Sequence, residues 1–136
     1  MSDRSNDLLH IRPDIKSTQI HPNMSLGERF QNETLRPILK FQNSLLLALF
    51  KNYIRKHKNT FYELSLEKRL QYIENAIQKD VKFRNSLKGL IIGLFTVDEY
   101  NTYIQDSSAL NKRMMNMVVE RLKDQVQLLD DPVLSY

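Results

Sequence analysis

Residues 65–95 read SLEKRLQYIENAIQKDVKFRNSLKGLIIGLF, and this stretch decides the class of fold. It has no proline, and its two glycines, Gly89 and Gly93, are the only ones between Pro37 and Pro132. Hairpins and α/β crossovers lean on Gly and Pro turns, whereas packed helices need very few. Leu66, Leu70, Ile73, Ala76 and Ile77 recur at helical steps, predicting a helix that starts at the N-cap Ser65. Asp80 then caps a further helix, which begins basic and ends apolar on every side, a pattern expected of a buried end. Gly89 and Gly93 lie four residues apart and predict a notch where another backbone approaches closely.

Outward from this stretch the same periodicity continues. Thr96-Val97-Asp98-Glu99 is a capping box, in which hydroxyl and carboxylate satisfy each other's orphan N–H groups as a short helix opens. Ser107 or Ser108 is the expected cap of the last helix, whose inner face carries Leu110, Met114, Met117, Val118, Leu122, Val126 and Leu129; Asp130, Asp131 and Pro132 stop it. Upstream, Leu35, Ile38, Leu39, Leu45, Leu46, Leu49, Phe50, Tyr53 and Ile54 mark a long amphipathic helix. Ser25 or Asn32 offers its cap, and Pro37 either begins or kinks it. Arg55, Lys56, His57 and Lys58 suit its negative C-terminal end, and Asn59 punctuates the stop. Residues 25–136 are thus expected to form one all-α bundle of four to five helices. Residues 1–24, broken by Pro13 and Pro22 and without a periodic face, predict a mobile tail in which LLHIRPDI is the piece suited to docking.

Composition narrows the function by exclusion. The chain has 136 residues, 41% of them hydrophobic and 26% charged, enough for one domain with a real core. Without cysteine there is no disulfide, thiolate nucleophile or thiolate-bound zinc, and a cytoplasmic location is expected. The start lacks a secretory apolar segment, and the longest apolar runs are far too short to cross a bilayer, so no membrane association is expected. His10, His21 and His57 are scattered, with no HExxH or Glu-x-x-His pair, so no metal site is predicted. No G-x-S-x-G elbow, P-loop or dinucleotide fingerprint occurs, so no catalytic residue and no cofactor is assigned.

Two surfaces remain as candidates. Between Lys51 and Lys88 ten basic residues face four acids, Glu63, Glu67, Glu74 and Asp80. Lys51, Arg55, Lys58, Lys82, Arg84 and Lys88 are therefore candidate nucleic-acid contacts, reached through a helix–break–helix at Lys79-Asp80. The ordinary meaning of such a run is a solvated helix face. Leu47, Met115 and Val119 widen already sufficient apolar stripes and predict a subunit interface in a homo-oligomer.

The stretch FYELSLEKRLQYIENAIQKDVKFRNSLKGLIIGLFTVDEY, followed by SSALNKRMMN, resembles a family of short all-helical bacterial proteins sometimes labelled glyoxalase automatically. The resemblance covers most of residues 25–125 and implies a discrete domain. A βαβββ glyoxalase requires repeated strands and a metal held by His and Glu; neither pattern occurs here, and no residue role is carried over. The expected function is a non-enzymatic, self-associating helical protein-interaction domain. A nucleic-acid-binding module using residues 51–88 is the alternative, and a cryptic small-molecule enzyme is a second one.

Overall fold

The computed structural model describes residues 3–12 and 23–130. Among these residues the protein is all-α and contains no strand. Seven α-helices follow in order: α1 Arg4–Ile11, α2 Leu26–Phe30, α3 Arg36–Lys56, α4 Leu66–Lys79, α5 Val81–Ile92, α6 Val97–Tyr103 and α7 Ser107–Asp124. A π turn, Gln31–Leu35, joins α2 to α3, and single 3-10 turns occupy Thr60–Glu63 and Val126–Leu129. The five helices expected from periodicity are α3 to α7. No described helix is long and apolar enough to cross a membrane.

Local chemistry sets most boundaries. Ser65 accepts from the Lys68 N–H at 3.4 Å, and Asp80 from the Phe83 N–H at 3.1 Å, starting α4 and α5. Thr96 and Glu99 make both bonds of the capping box, at 3.1 and 2.8 Å. Ser25 caps α2 through the Glu28 N–H. The last helix departs from expectation, since Asp106 holds the cap position without a side-chain bond and Ser107 is already helical. It also ends at Asp124, so Val126 and Leu129 ride on the 3-10 turn. Residues 131–136 lie outside the described residues.

Pro37 stands in the first turn of α3, as expected of a helix start, but the chain enters that turn from another helical turn and not from a cap. It has no N–H for the Glu33 carbonyl, and the chain widens into the π turn just before it, with the Arg36 N–H donating to the Gln31 carbonyl five residues back. At the far end of α3 the Lys58 and Asn59 N–H groups donate to the Arg55 and Ile54 carbonyls, a Schellman closure. Lys58 occupies the left-handed region there, at φ 65°.

The core wraps α3. Phe50 meets Phe61, Tyr72 and Phe83 edge-on or tilted, with ring centroids 6.0–6.2 Å apart. Tyr53 stacks on His57 at 4.1 Å and donates its hydroxyl to Asp80 at 3.0 Å, tying α3 to the α4–α5 break. Burial, then the Asp80 acceptor and its charge, push the Tyr53 phenol up to about 12. Phe41 and Leu45 stand exposed one turn apart on α3, although Leu45 falls in the apolar stripe.

The aperiodic-tail reading fails for residues 3–12, which form α1 and dock on the body; residues 13–22 lie outside the described residues. Leu8 is buried, and the Arg4 guanidinium donates to the Gly93 and Phe95 carbonyls at 2.7 and 2.8 Å. Arg12 donates to the Leu94 carbonyl at 2.6 Å. These carbonyls lie just past the C-terminal end of α5, where the helix dipole favours cations. The docked helix contributes charge more than apolar area, so hydrophobic periodicity misses it. The expected glycine notch is absent. A Cβ on Gly89 would meet nothing within 4 Å, and one on Gly93 only the Gly89 carbonyl.

Candidate functional site: a cationic furrow between two parallel helices

A close approach to a glycine backbone lies elsewhere. A Cβ on Gly27 would stand 2.6 Å from Arg113 Nε and 3.0 Å from its Cζ, so the guanidinium of α7 rests directly on the backbone of α2. From that seat Arg113 donates to Gln31 Oε1 at 3.0 Å. Twelve residues further along both elements, Asn43 and Gln125 exchange two amide hydrogen bonds of 2.7 Å. Both clamps join residues 82 apart in sequence, so the π turn with α3 and the helix α7 run parallel. At 1.5 Å per residue the clamps are about 18 Å apart.

Between them lies an open furrow of about 880 Å³. Arg36, Lys112, Arg113 and Arg121 line it, against the carboxylates of Glu120 and Asp124, with Leu39 and Met117 as its apolar floor. Among the described residues none of these four cations forms an ion pair; the three pairs found are Arg12–Glu99, Arg69–Asp130 and Lys123–Glu74. Among the described residues the Arg36 side chain makes only a long bond of 3.4 Å to Asn32. Burial and then the neighbouring charge of Arg36 lower the Arg121 pKa, while Asp124 acts the other way. Like charges gathered in a concavity without matching carboxylates favour an anionic occupant.

A second polar cluster holds the fold beside this furrow. Glu99 accepts from both terminal nitrogens of Arg12, at 2.5 and 2.6 Å, from the Thr34 hydroxyl at 3.0 Å and from the Thr96 N–H at 2.8 Å. Burial alone would raise its pKa. The Arg12 hydrogen bonds, the Thr96 N–H, the Arg12 charge and the Thr34 hydroxyl outweigh burial and hold the carboxyl below its ordinary range. With every oxygen occupied, Glu99 is a latch for α1 and not a base. No cluster of three or more His, Asp or Glu side chains placed to hold a metal occurs among the described residues.

The residues singled out from sequence fall elsewhere. Met115 and Val119 are 7% and 4% exposed, covered by the core, and Leu47 is half-buried against it. Two of the three interface candidates therefore have no surface to offer, because α2, the π turn, α4 and α5 all pack on α7 and bury a wider stripe than two neighbours would. Arg55, Lys58 and Lys82 are exposed, while Lys51, Arg84 and Lys88 are half-buried. Arg84 folds back on the Gln78 carbonyl at 2.6 Å. Lys82 and Lys88 lie six residues apart on α5, about 120° around its axis, and do not share a face. The furrow cations come instead from the start of α3 and from α7, outside the basic stretch. Their sequence signal was weak: polar positions of α7 at four-residue steps read as an ordinary solvated face.

No family model, curated protein or solved structure matches this chain.

Proposed function

We propose that this protein is a non-enzymatic helical interaction domain that receives an acidic segment of a partner protein in the furrow between α3 and α7. The observation that supports it is the furrow's surplus of cations, four against two carboxylates, with no ion pair among the described residues. Polar clamps fix both walls, so the surface is preformed and little ordering is needed on binding. A cytoplasmic setting and a bacterial source go with this reading, which asks for neither disulfide nor membrane.

The test is fluorescence anisotropy with a labelled Glu-rich peptide and a single-stranded DNA of equal charge, measured on the native chain and on Lys112→Glu. The reading expects the peptide to bind more tightly and the variant to weaken it. DNA binding that is tighter, and insensitive to Lys112, would establish the nucleic-acid alternative instead.

Self-association is a second reading, favoured by Phe41 and Leu45, which are exposed one turn apart on α3. Sedimentation should then show a dimer that Leu45→Lys converts to a folded monomer; a native chain that is monomeric at tens of micromolar, about where a standard interface should hold, refutes it.

A further inference from the structure

We infer that the furrow is a receptor for a phosphomonoester group, taken up between Arg36 and Arg121, with Arg113 and Lys112 adding positive charge toward its far end. This rests on the reading of the furrow as a binding surface for an acidic partner, and it specifies which group is recognised.

Charge supplies the first argument. Four cations against Glu120 and Asp124 leave two positive charges uncompensated in the furrow. A phosphomonoester carries about −1.5 to −2 at neutral pH and presents three strong acceptor oxygens. A single carboxylate neutralises only half of that surplus. Donor type supplies the second argument. Three of the four cations are arginines, whose planar forks give two parallel bonds to one oxyanion, whereas lysine acts as a point charge.

Preparation of the site supplies the third. Arg113 is seated on the Gly27 backbone and tethered to Gln31, which fixes one end of the furrow before any ligand arrives. Arg36 lines the same furrow near enough for its charge to disfavour that of Arg121, and no hydrogen bond from the Arg121 side chain is made among the described residues. A dianion between them removes that repulsion. Size supplies the last. The furrow, at about 880 Å³, is far larger than phosphate alone, and Leu39, Ala109 and Met117 give the remainder an apolar lining. The group is therefore expected on an organic carrier, either a phosphorylated side chain or a small phosphate ester.

The experiment is calorimetric or NMR titration of the whole chain with phenyl phosphate, benzoate, inorganic phosphate, and an acidic peptide with and without one phosphoserine. Phenyl phosphate should bind about ten-fold more tightly than benzoate, a difference expected of paired arginine forks against one carboxylate. Arg121→Gln should remove about ten-fold in affinity for phenyl phosphate. If that variant does not fold, Arg121→Lys keeps the charge and loses only the planar fork, and it should likewise weaken phenyl phosphate binding more than benzoate binding. A phosphopeptide that outbinds phenyl phosphate assigns the group to a partner chain, whereas parity between them assigns it to a small ester; both support the inference. Equal affinity for phenyl phosphate and benzoate overturns it, and if the unphosphorylated peptide still binds, the broader reading stands. Failure of every probe to bind overturns both.

Discussion

Replacing Glu99 by Gln removes one charge and almost no volume, and it should cost the fold about 3–5 kcal/mol, as expected when one partner of a buried ion pair is lost. The side chains of Arg12 and Glu99 are only 6% and 17% exposed. The carboxylate accepts four hydrogen bonds there, two of them from a guanidinium. A glutamine must turn its amide NH2 toward one of those donors, and each charge-assisted bond given up is worth about 1.5–3 kcal/mol. Arg12 is left charged, almost out of water, with its Nε already lacking a partner. The pH dependence has a definite sign. The folded-state pKa of Glu99 is depressed, so its contribution is fully present above the unfolded value of about 4.3 and is lost as pH falls through the folded value. Glu99→Gln should therefore be less stable near neutrality and should lack this part of the acid slope. Urea unfolding followed by circular dichroism, across a pH series, measures both effects. A cycle with Arg12→Met isolates the pair: each single change strands a partner, whereas the double variant strands neither and should cost much less than the sum. Additivity within about 0.5 kcal/mol would show that the two residues do not act together, and the latch reasoning would fall.

Other perturbations probe other parts of the argument. Gly27→Ala places a Cβ 2.6 Å from Arg113 Nε, yet the obstacle is the end of a flexible side chain and alanine gains about 1 kcal/mol of helix propensity. The thermal midpoint should hold or rise; a large loss of stability would mean that Arg113 is not the only group displaced. Lys58→Gly relieves a left-handed lysine and should add about 1 kcal/mol, seen as a higher urea midpoint at unchanged slope. Met115→Lys or Val119→Lys buries an unpaired ammonium and should cost more than about 3 kcal/mol, seen as loss of the helical signal and not as a folded monomer.

What could be read from the sequence was local. Ser65, Asp80 and Thr96 start helices through bonds to a residue three positions on, so their chemistry is written within a single turn. Hydrophobic spacing likewise located α3 to α7, because burial of one helical face is a periodic signal. It failed where the answer depended on how many neighbours pack on a helix. Met115 and Val119 carry the same apolar side chains whether a second subunit or the chain's own core covers them. It failed again for α1, whose docking rests on Arg4 and Arg12 meeting partners 82–91 residues away. The furrow escaped for a related reason. Charge density along the chain points to residues 51–88, whereas Arg36 and Arg121 come from opposite ends of the domain and are close only in the folded state.

The π turn connects these two long-range networks, and its cause is a single residue. Pro37 withholds one backbone N–H, and the chain closes the gap with an i to i−5 bond instead of breaking the helix. A wider turn advances each residue by a smaller angle around the axis. Gln31 and Thr34, three positions apart, are therefore spread further than an α-turn would spread them. Gln31 meets Arg113 on α7, and Thr34 meets Glu99 on α6. One five-residue element thus holds a wall of the furrow and also donates a bond to the latch that retains α1. An ordinary α-turn over the same residues would bring these two side chains closer to one face, and one contact or the other would be lost.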